Sequence, residues 1–440
     1  MLDILEKLLK TMNDNKIKTI TIEPNMFVDK PFIKCPKCGE NKYGVLMINP
    51  RNYIRKCTSC LHSSSYKLPP LSKKIIYIDQ NALSDMMKSI NPSTHANQKG
   101  SINPFFKSLF EILDRLNKYQ LIICPDSINH YMESVSSQFY RPIKRVYEQL
   151  SHGTTFEFPE NIKRFQIHNN FLEWLGEKPK EIDVDDVVHG TLNEWQDRFR
   201  ISVDMGGEEE DAITNNNFKN NLHNNMLGVF ARWQSEKNRK FEDWYEEERK
   251  AVGPTILKVY FQGLAKIREE KYDESTLNFM TSFVSVLITE LSKILKDKGY
   301  EENDSWVKLV EYFNSEFFKE TSFIKITSML YASIAKSAAN GRKNPPSPGM
   351  DNDIEVISCY SEYCDAMFLD KECHSYLNQQ PLKDKLGLGN KSYSVNNKIE
   401  FLEYLQSILD NCPKKHLKLI DKVYGEEWGE PFIEMFEKVD

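Results

Sequence analysis

The stretch that decides the fold is KKIIYIDQN, residues 73–81. Four apolar residues, Ile75, Ile76, Tyr77 and Ile78, three of them β-branched, form a run too short for a helix and stop at Asp79. Downstream, 105–116 has the spacing of an amphipathic helix, and 121–124 is a second short apolar run closed by Pro125-Asp126. Residues 127–136 again look helical. That β-α-β-α rhythm predicts an α/β domain with a parallel sheet. It returns late in the chain, with a helix from about Ile354, an apolar run at 366–369 halted at Asp370, and an amphipathic helix at 399–409.

Between these halves the rhythm is lost. Residues 230–249, 277–298 and 323–339 read as long helices rich in aromatic and charged residues, and the Asn-rich NNNFKNNLHNN (215–225) reads as a surface loop. The expected organisation is an N-terminal helical segment (1–30), a zinc ribbon (31–66), an α/β domain in two parts (75–140 and 345–440) and a helical insertion (141–340). Within the insertion, Trp174, Trp195, Trp233 and Trp244 are expected in cores. Arg141, Lys144, Arg145, Arg198, Arg200, Lys237, Arg239 and Lys240 either flank a nucleic-acid channel or pair with interspersed acids. A protein partner or a second copy of the chain could dock on this insertion.

Cys35, Cys38, Cys57 and Cys60 follow the pattern C-x2-C-x18-C-x2-C. Each C-x2-C places two thiolates on one tight turn, and the spacer can return as a hairpin to complete a tetrahedron, so the set predicts a closed structural Zn2+ site. Gly39 suits the first turn, and His62 is a bystander beside a complete cysteine set. Lys34, Lys37, Lys42, Arg51, Arg55 and Lys56 surround the site with Tyr43 and Tyr53 interleaved. That is what a nucleic-acid surface needs, although a folding staple or a protein-docking knob has the same residues. Cys359, Cys364, Cys373 and His374 lack the regular spacing of a second metal site, and these cysteines, with Cys124, are expected in the core.

Of 440 residues, 28% are charged and 40% hydrophobic, with a mean hydropathy of −0.55. No uncharged apolar run of membrane-spanning length occurs, and a soluble, cytoplasmic protein is expected. The net charge of −6 is unevenly spread. Residues 1–78 carry 14 Lys/Arg and 6 Asp/Glu, a net +8 that leaves −14 on the remainder. A basic module ahead of an acidic body suggests an arm that meets phosphate. No phosphate-binding G-x-x-x-x-G-K-[ST], strand-linked G-x-G-x-x-G or G-x-S-x-G is present, so ATPase, dinucleotide and serine-hydrolase chemistry have no support.

The acids carry the chemistry. Asp79 and Asp370 each follow an expected strand, where groups past the carboxyl ends line the ligand crevice of an open α/β sheet. Glu133 lies in the helix after the 121–124 strand, and Asp351 and Asp353 open the helix before the last run. Carboxylates that converge without matching cations repel unless a divalent ion neutralises them, and all-oxygen ligands select Mg2+ or Mn2+. Taken singly, each has a plainer role as a turn residue, an N-cap or a solvated helix residue.

The order Asp79-Gln80-Asn81 after a first strand, Glu133 in the next helix, Asp353-Ile354, and Asp370 seventeen residues on resembles the PIN-like nuclease domain. The resemblance implies a Rossmann-like, PIN-type α/β fold that binds Mg2+ or Mn2+ and cleaves RNA, less often DNA. It implies Asp79, Glu133, Asp353 and Asp370 as the metal-site acids, with Asn81 as the polar residue of the first motif. Asp351 and Asp365 are candidates to assist. Phe368 stands where the family often has Ser or Thr, and the insertion is far longer than is usual. The expected activity is hydrolysis of a phosphodiester by a metal-activated water, in a setting such as a bacterial toxin or antiphage-defence effector. The second reading is a non-catalytic nucleic-acid- or protein-binding adaptor on a degenerate scaffold of this kind.

Overall fold

A computed structural model describes residues 25–91, 103–198, 208–269 and 274–431. Most of the expected N-terminal helical segment lies outside them, as does Arg200; residues 25–27 form a turn that leads into the first strand.

The chain is mixed α/β, with a small antiparallel sheet near its N-terminus and a separate parallel sheet. The first runs β1 (Asp29–Ile33), β2 (Tyr43–Asn49), β3 (Asn52–Cys57) and β4 (Ser63–Lys67) in sequence order. The second contains β5 (Lys74–Ile78), β6 (Ile122–Ile123), β9 (Ala366–Phe368) and β10 (Ser392–Tyr393), ordered β10-β9-β5-β6 with every pair parallel. A two-stranded ribbon, β7 (Thr155–Phe156) with β8 (Val188–His189), lies apart. The sequence gives no signal for β7, β8 or β10, each only two residues long.

Successive side chains on a strand face opposite ways, and here both faces are covered, which is why the strands read as unbroken apolar runs. Ile76, Ile78, Ile122, Ala366 and Phe368 pack against helices Gln80–Ile90, Pro104–Lys118, Tyr140–Ser151 and Lys398–Asp410. Ile75, Tyr77, Ile123 and Met367 face the other way, onto helices Ser322–Ala339 and Met350–Tyr360. The first of that pair belongs to the insertion, so the insertion supplies part of the sheet's own cover. Phe230, Trp233, Phe241 and Trp244 join the same core. A further core lies within the insertion, around Phe171, Leu287, Leu291, Tyr312 and Phe313. There Gly253 admits the neighbouring backbone, since a Cβ would sit 1.9 Å from Phe313 O.

Three helical expectations need correction. The Asn-rich 215–225 is not a loop but the middle of helix Glu208–Ser235. Asparagine is a poor helix former, yet tertiary contacts override propensity: buried Asn215 donates to Met132 O, and Phe230 and Trp233 anchor the far end. The segment 230–249 breaks between Ser235 and Phe241. The segment 277–298 breaks at Ser282, whose hydroxyl accepts from Ser285 N at 3.3 Å and caps a new helix, Phe283–Asp297. No helix among the described residues is long and apolar enough to cross a membrane.

Candidate metal centres

The four N-terminal cysteines converge as their spacing predicts. Cys35 Sγ lies 3.6 Å from Cys60 Sγ and Cys38 Sγ 3.7 Å from Cys57 Sγ, with all four sulfurs within 4.8 Å of one another. A tetrahedron with Zn–S bonds of about 2.3 Å needs S···S separations of about 3.8 Å, so the set can hold a zinc ion. The two turns are built alike: Gly39 N donates to Cys35 O at 2.9 Å and Leu61 N to Cys57 O at 3.0 Å. Gly39 (φ 82°) and Leu61 (φ 59°) both take the left-handed conformation that such a turn requires. His62 stacks on Tyr43 and stands outside the sulfur cluster.

Around this ribbon the structure reassigns three residues. Arg55 is 1% exposed; Nη1 donates to Pro31 O and Tyr43 O at 2.8 Å, and Nη2 to Lys422 O at 2.6 Å. Tyr43 and Tyr53 are also buried. None of the three can meet phosphate or a base. Arg55 and Tyr53 tie the ribbon to helix Lys414–Tyr424, whose Ile420, Val423 and Tyr424 share a core with Tyr53, Val45, Ile48 and Trp195, while Tyr43 packs against Cys35 and Cys57. Lys34, Lys37, Lys42 and Arg51 remain exposed.

The second centre lies at the carboxyl edge of the parallel sheet. β5 has β6 on one side and β9 on the other, so the strand order reverses beside it, the place where such sheets open a crevice. The ends of β5 and β9 are side by side, since Asp79 N donates to Phe368 O at 2.9 Å; Asp79 follows β5 directly and Asp370 follows β9 after Leu369. His130 secures the end of β5 from below. It bonds Ile78 O through Nε2 at 2.8 Å, stacks on Tyr77, and is kept neutral because burial lowers its pKa to about 4.

Four acids meet electrostatically at this edge. Asp79 is buried, and burial, reinforced by the charges of Glu133 and Asp370, raises its carboxyl to about 8 against the hydrogen bonds from Asn81 and Gln80. It begins helix Gln80–Ile90 without using its side chain as a cap. Asp353, in the first turn of helix Met350–Tyr360, rises to about 10 through burial and then the charges of Asp79, Glu133 and Asp370. Glu133 and Asp370 are likewise raised, chiefly by burial. Buried carboxylates that favour the protonated form in this way are neutralised by a divalent cation just as well.

The other acids divide. Asp370 also plays the plainer role, since its Oδ1 accepts from Cys373 N at 2.7 Å and caps helix Lys371–Leu377. Asn81 Nδ2 donates to Asp79 Oδ2 at 3.2 Å. Asp351 turns aside to accept from Tyr331 Oη at 2.7 Å. Asp365 sits at the opposite end of β9, accepting from Ile75 N and Lys74 Nζ, both at 2.9 Å, roughly 10 Å of strand away from the cluster. It therefore ties the sheet's far edge and takes no part in the cluster.

Sequence reading missed Asn352, whose Nδ2 donates to Glu133 Oε1 at 3.3 Å, and Cys373, whose sulfur lies within 4.8 Å of oxygens of Asp353 and Asp370. It also missed Lys219, the cation whose charge works against the rise that burial imposes on Glu133. Cys359, Cys364 and Cys373 are all buried, as core cysteines are expected to be. A cleft of about 390 Å³ opens beside the cluster, lined by Asp79, Asn81, Asp85, Phe106, Asp370 and Lys371 among others. Of the insertion's cations, Arg239 pairs with Glu236 and Glu247, Lys144 with Glu148 and Arg198 with Asp29. Comparison of the chain with protein-family models, with curated proteins and with solved structures gave no match.

Proposed function

We propose that the chain is a Mg2+- or Mn2+-dependent nuclease in which Asp79, Glu133, Asp353 and Asp370 hold the metal. The observation that carries this reading is the convergence of buried and half-buried acids from separate elements at the switch point of a parallel sheet, with Asp353 and Asp370 oxygens within 4.8 Å of each other and Asp79 beside them at the end of β5. A cation held by these four carboxylates would supply activation of a water for attack on a phosphodiester and stabilisation of the charge that develops. Asn81 orients Asp79, Asn352 orients Glu133, and the Cys373 amide fixes one oxygen of Asp370. The resemblance of the motif residues to PIN-like domains favours RNA over DNA; that preference rests on analogy. The zinc ribbon serves first as a staple for the C-terminal helix, with Lys34, Lys37, Lys42 and Arg51 left to meet nucleic acid.

The test is a titration of Mg2+ and Mn2+ against labelled single-stranded and duplex RNA and DNA, comparing the wild type with Asp79→Asn and Glu133→Gln. Metal-dependent cleavage lost in both variants supports the reading. Absence of cleavage at every metal concentration would leave the adaptor reading in its place.

A further inference from the structure

The helical insertion reaches the acidic cluster through one helix face. Asp211, Asn215 and Lys219 recur every four residues on helix Glu208–Ser235 and so lie in one row. Each engages the end of helix Ile128–Ser134, which carries Glu133. Tyr131 Oη donates to Asp211, and Asn215 Nδ2 donates to Met132 O. Lys219 Nζ donates to the same Met132 O at 3.0 Å, one residue from Glu133. Ser136 Oγ adds a bond to Ala212 O at 3.4 Å.

This arrangement leaves the Lys219 ammonium underused. It has three donors, and Met132 O takes one. No carboxylate among the described residues lies within ion-pair distance of it, although it is half-buried and feels the charge of Glu133. Metal ions on the acids largely cancel the carboxylate charge, whereas the phosphodiester brings its own and gains more in the transition state. A cation held beside Glu133, but outside the metal's ligand set, is placed to answer that charge.

We propose that Lys219 is a phosphate contact, so that the insertion contributes a substrate-binding residue to the site from the Glu133 side. This rests on the nucleic-acid-cleavage reading above. The contact is electrostatic and independent of base identity, so it contributes affinity and salt dependence but no sequence preference.

The experiment uses the full chain with Lys219→Gln, whose amide can still donate to Met132 O, and with Lys219→Arg. Binding of an end-labelled single-stranded RNA is followed by anisotropy in Ca2+, across a range of salt, and cleavage is followed in Mn2+. Lys219→Gln is expected to weaken binding about tenfold, as for loss of one charge-assisted hydrogen bond. The log–log salt dependence should flatten by about 0.7. Lys219→Arg should recover most of both, and all three proteins should melt alike. Unchanged affinity and slope in Lys219→Gln would overturn the proposal. So would equal loss in Gln and Arg variants with a lowered melting temperature and an unchanged slope, since Lys219 would then be only a tie between helices. A wild type that cleaves nothing in Mn2+, yet loses affinity and slope with Lys219→Gln, would sink the nuclease reading and leave this contact standing.

Discussion

Asp79→Asn tests the acidic cluster through stability as well as through chemistry. In the folded chain the Asp79 carboxyl is raised to about 8 by burial and by Glu133 and Asp370, from an ordinary value of 3.8. Between those values the unfolded chain has released the proton and the folded chain retains it. The folded state thus binds more protons, and metal-free stability falls as pH rises through this window. Below it both states are protonated and the penalty vanishes. Four pH units at about 1.4 kcal/mol each set a ceiling on the order of 5 kcal/mol at pH 8, shared among coupled acids and reduced by relaxation. For a chain of this length roughly 1 °C accompanies each kcal/mol. Asn keeps the shape and removes the titration. Metal-free Asp79→Asn should therefore match the wild type near pH 4 and melt a few degrees above it at pH 8. Mn2+ should raise the wild type at pH 8 and the variant much less, because it binds only the folded site. Calorimetric scans across this range need resin-treated buffer without a strong chelator, so that a zinc ion held by the four cysteines would stay in place. Parallel pH profiles for the two proteins, or a variant less stable at pH 8, would refute the reasoning and make Asp79 an ordinary ionised turn residue.

The ribbon and the core yield three further expectations. Protein purified without chelator should carry about one zinc per chain by elemental analysis; Cys57→Ser should abolish it and loosen both the ribbon and helix Lys414–Tyr424, read as faster amide exchange in each. Arg55→Met should lower the melting temperature by a few degrees, since buried carbonyls of Pro31, Tyr43 and Lys422 lose their donor, and should leave the salt dependence of nucleic-acid binding unchanged. Phe368→Thr, which introduces the residue usual in the PIN-like domains that the motifs resemble, should destabilise by about 3 kcal/mol without raising cleavage, because Phe368 is buried against Phe105 and Phe401.

The α/β rhythm was legible because a buried parallel strand must be apolar on both faces. β5 and β9 therefore stand out even at five and three residues. β10 is only Ser392–Tyr393, and two residues carry no period. The Asn-rich stretch misleads for a different reason. Its local propensity argues against a helix, and the contacts that override it come from Met132 and from the sheet's core, both distant in sequence. The basic ribbon misleads in the same way. Arg55 and Lys56 are indistinguishable as letters, yet strand alternation turns Arg55 inward onto the C-terminal helix and leaves Lys56 half-exposed.

The same distinction runs through the candidate site. Asp79 and Asp370 could be found because each ends a strand, and position at a strand end is a local property. Asp365 carries the same residue type at the same strand, but at its beginning, and direction alone removes it from the cluster. Glu133 and Asp353 came from the resemblance and from helix position, and the structure sets their charges against Asp79. Asn352, Cys373 and Lys219 had no local mark, because what each does is defined by a partner: a glutamate 219 positions away, two aspartates, and a carbonyl 87 positions away. A metal site announces its acids in sequence, since acids without partners are conspicuous. The groups that orient those acids and meet the substrate are ordinary polar residues until the fold brings them together. Here Asn352 and Cys373 come from the α/β part itself, and the insertion, the part of the chain whose sequence revealed least, adds Lys219.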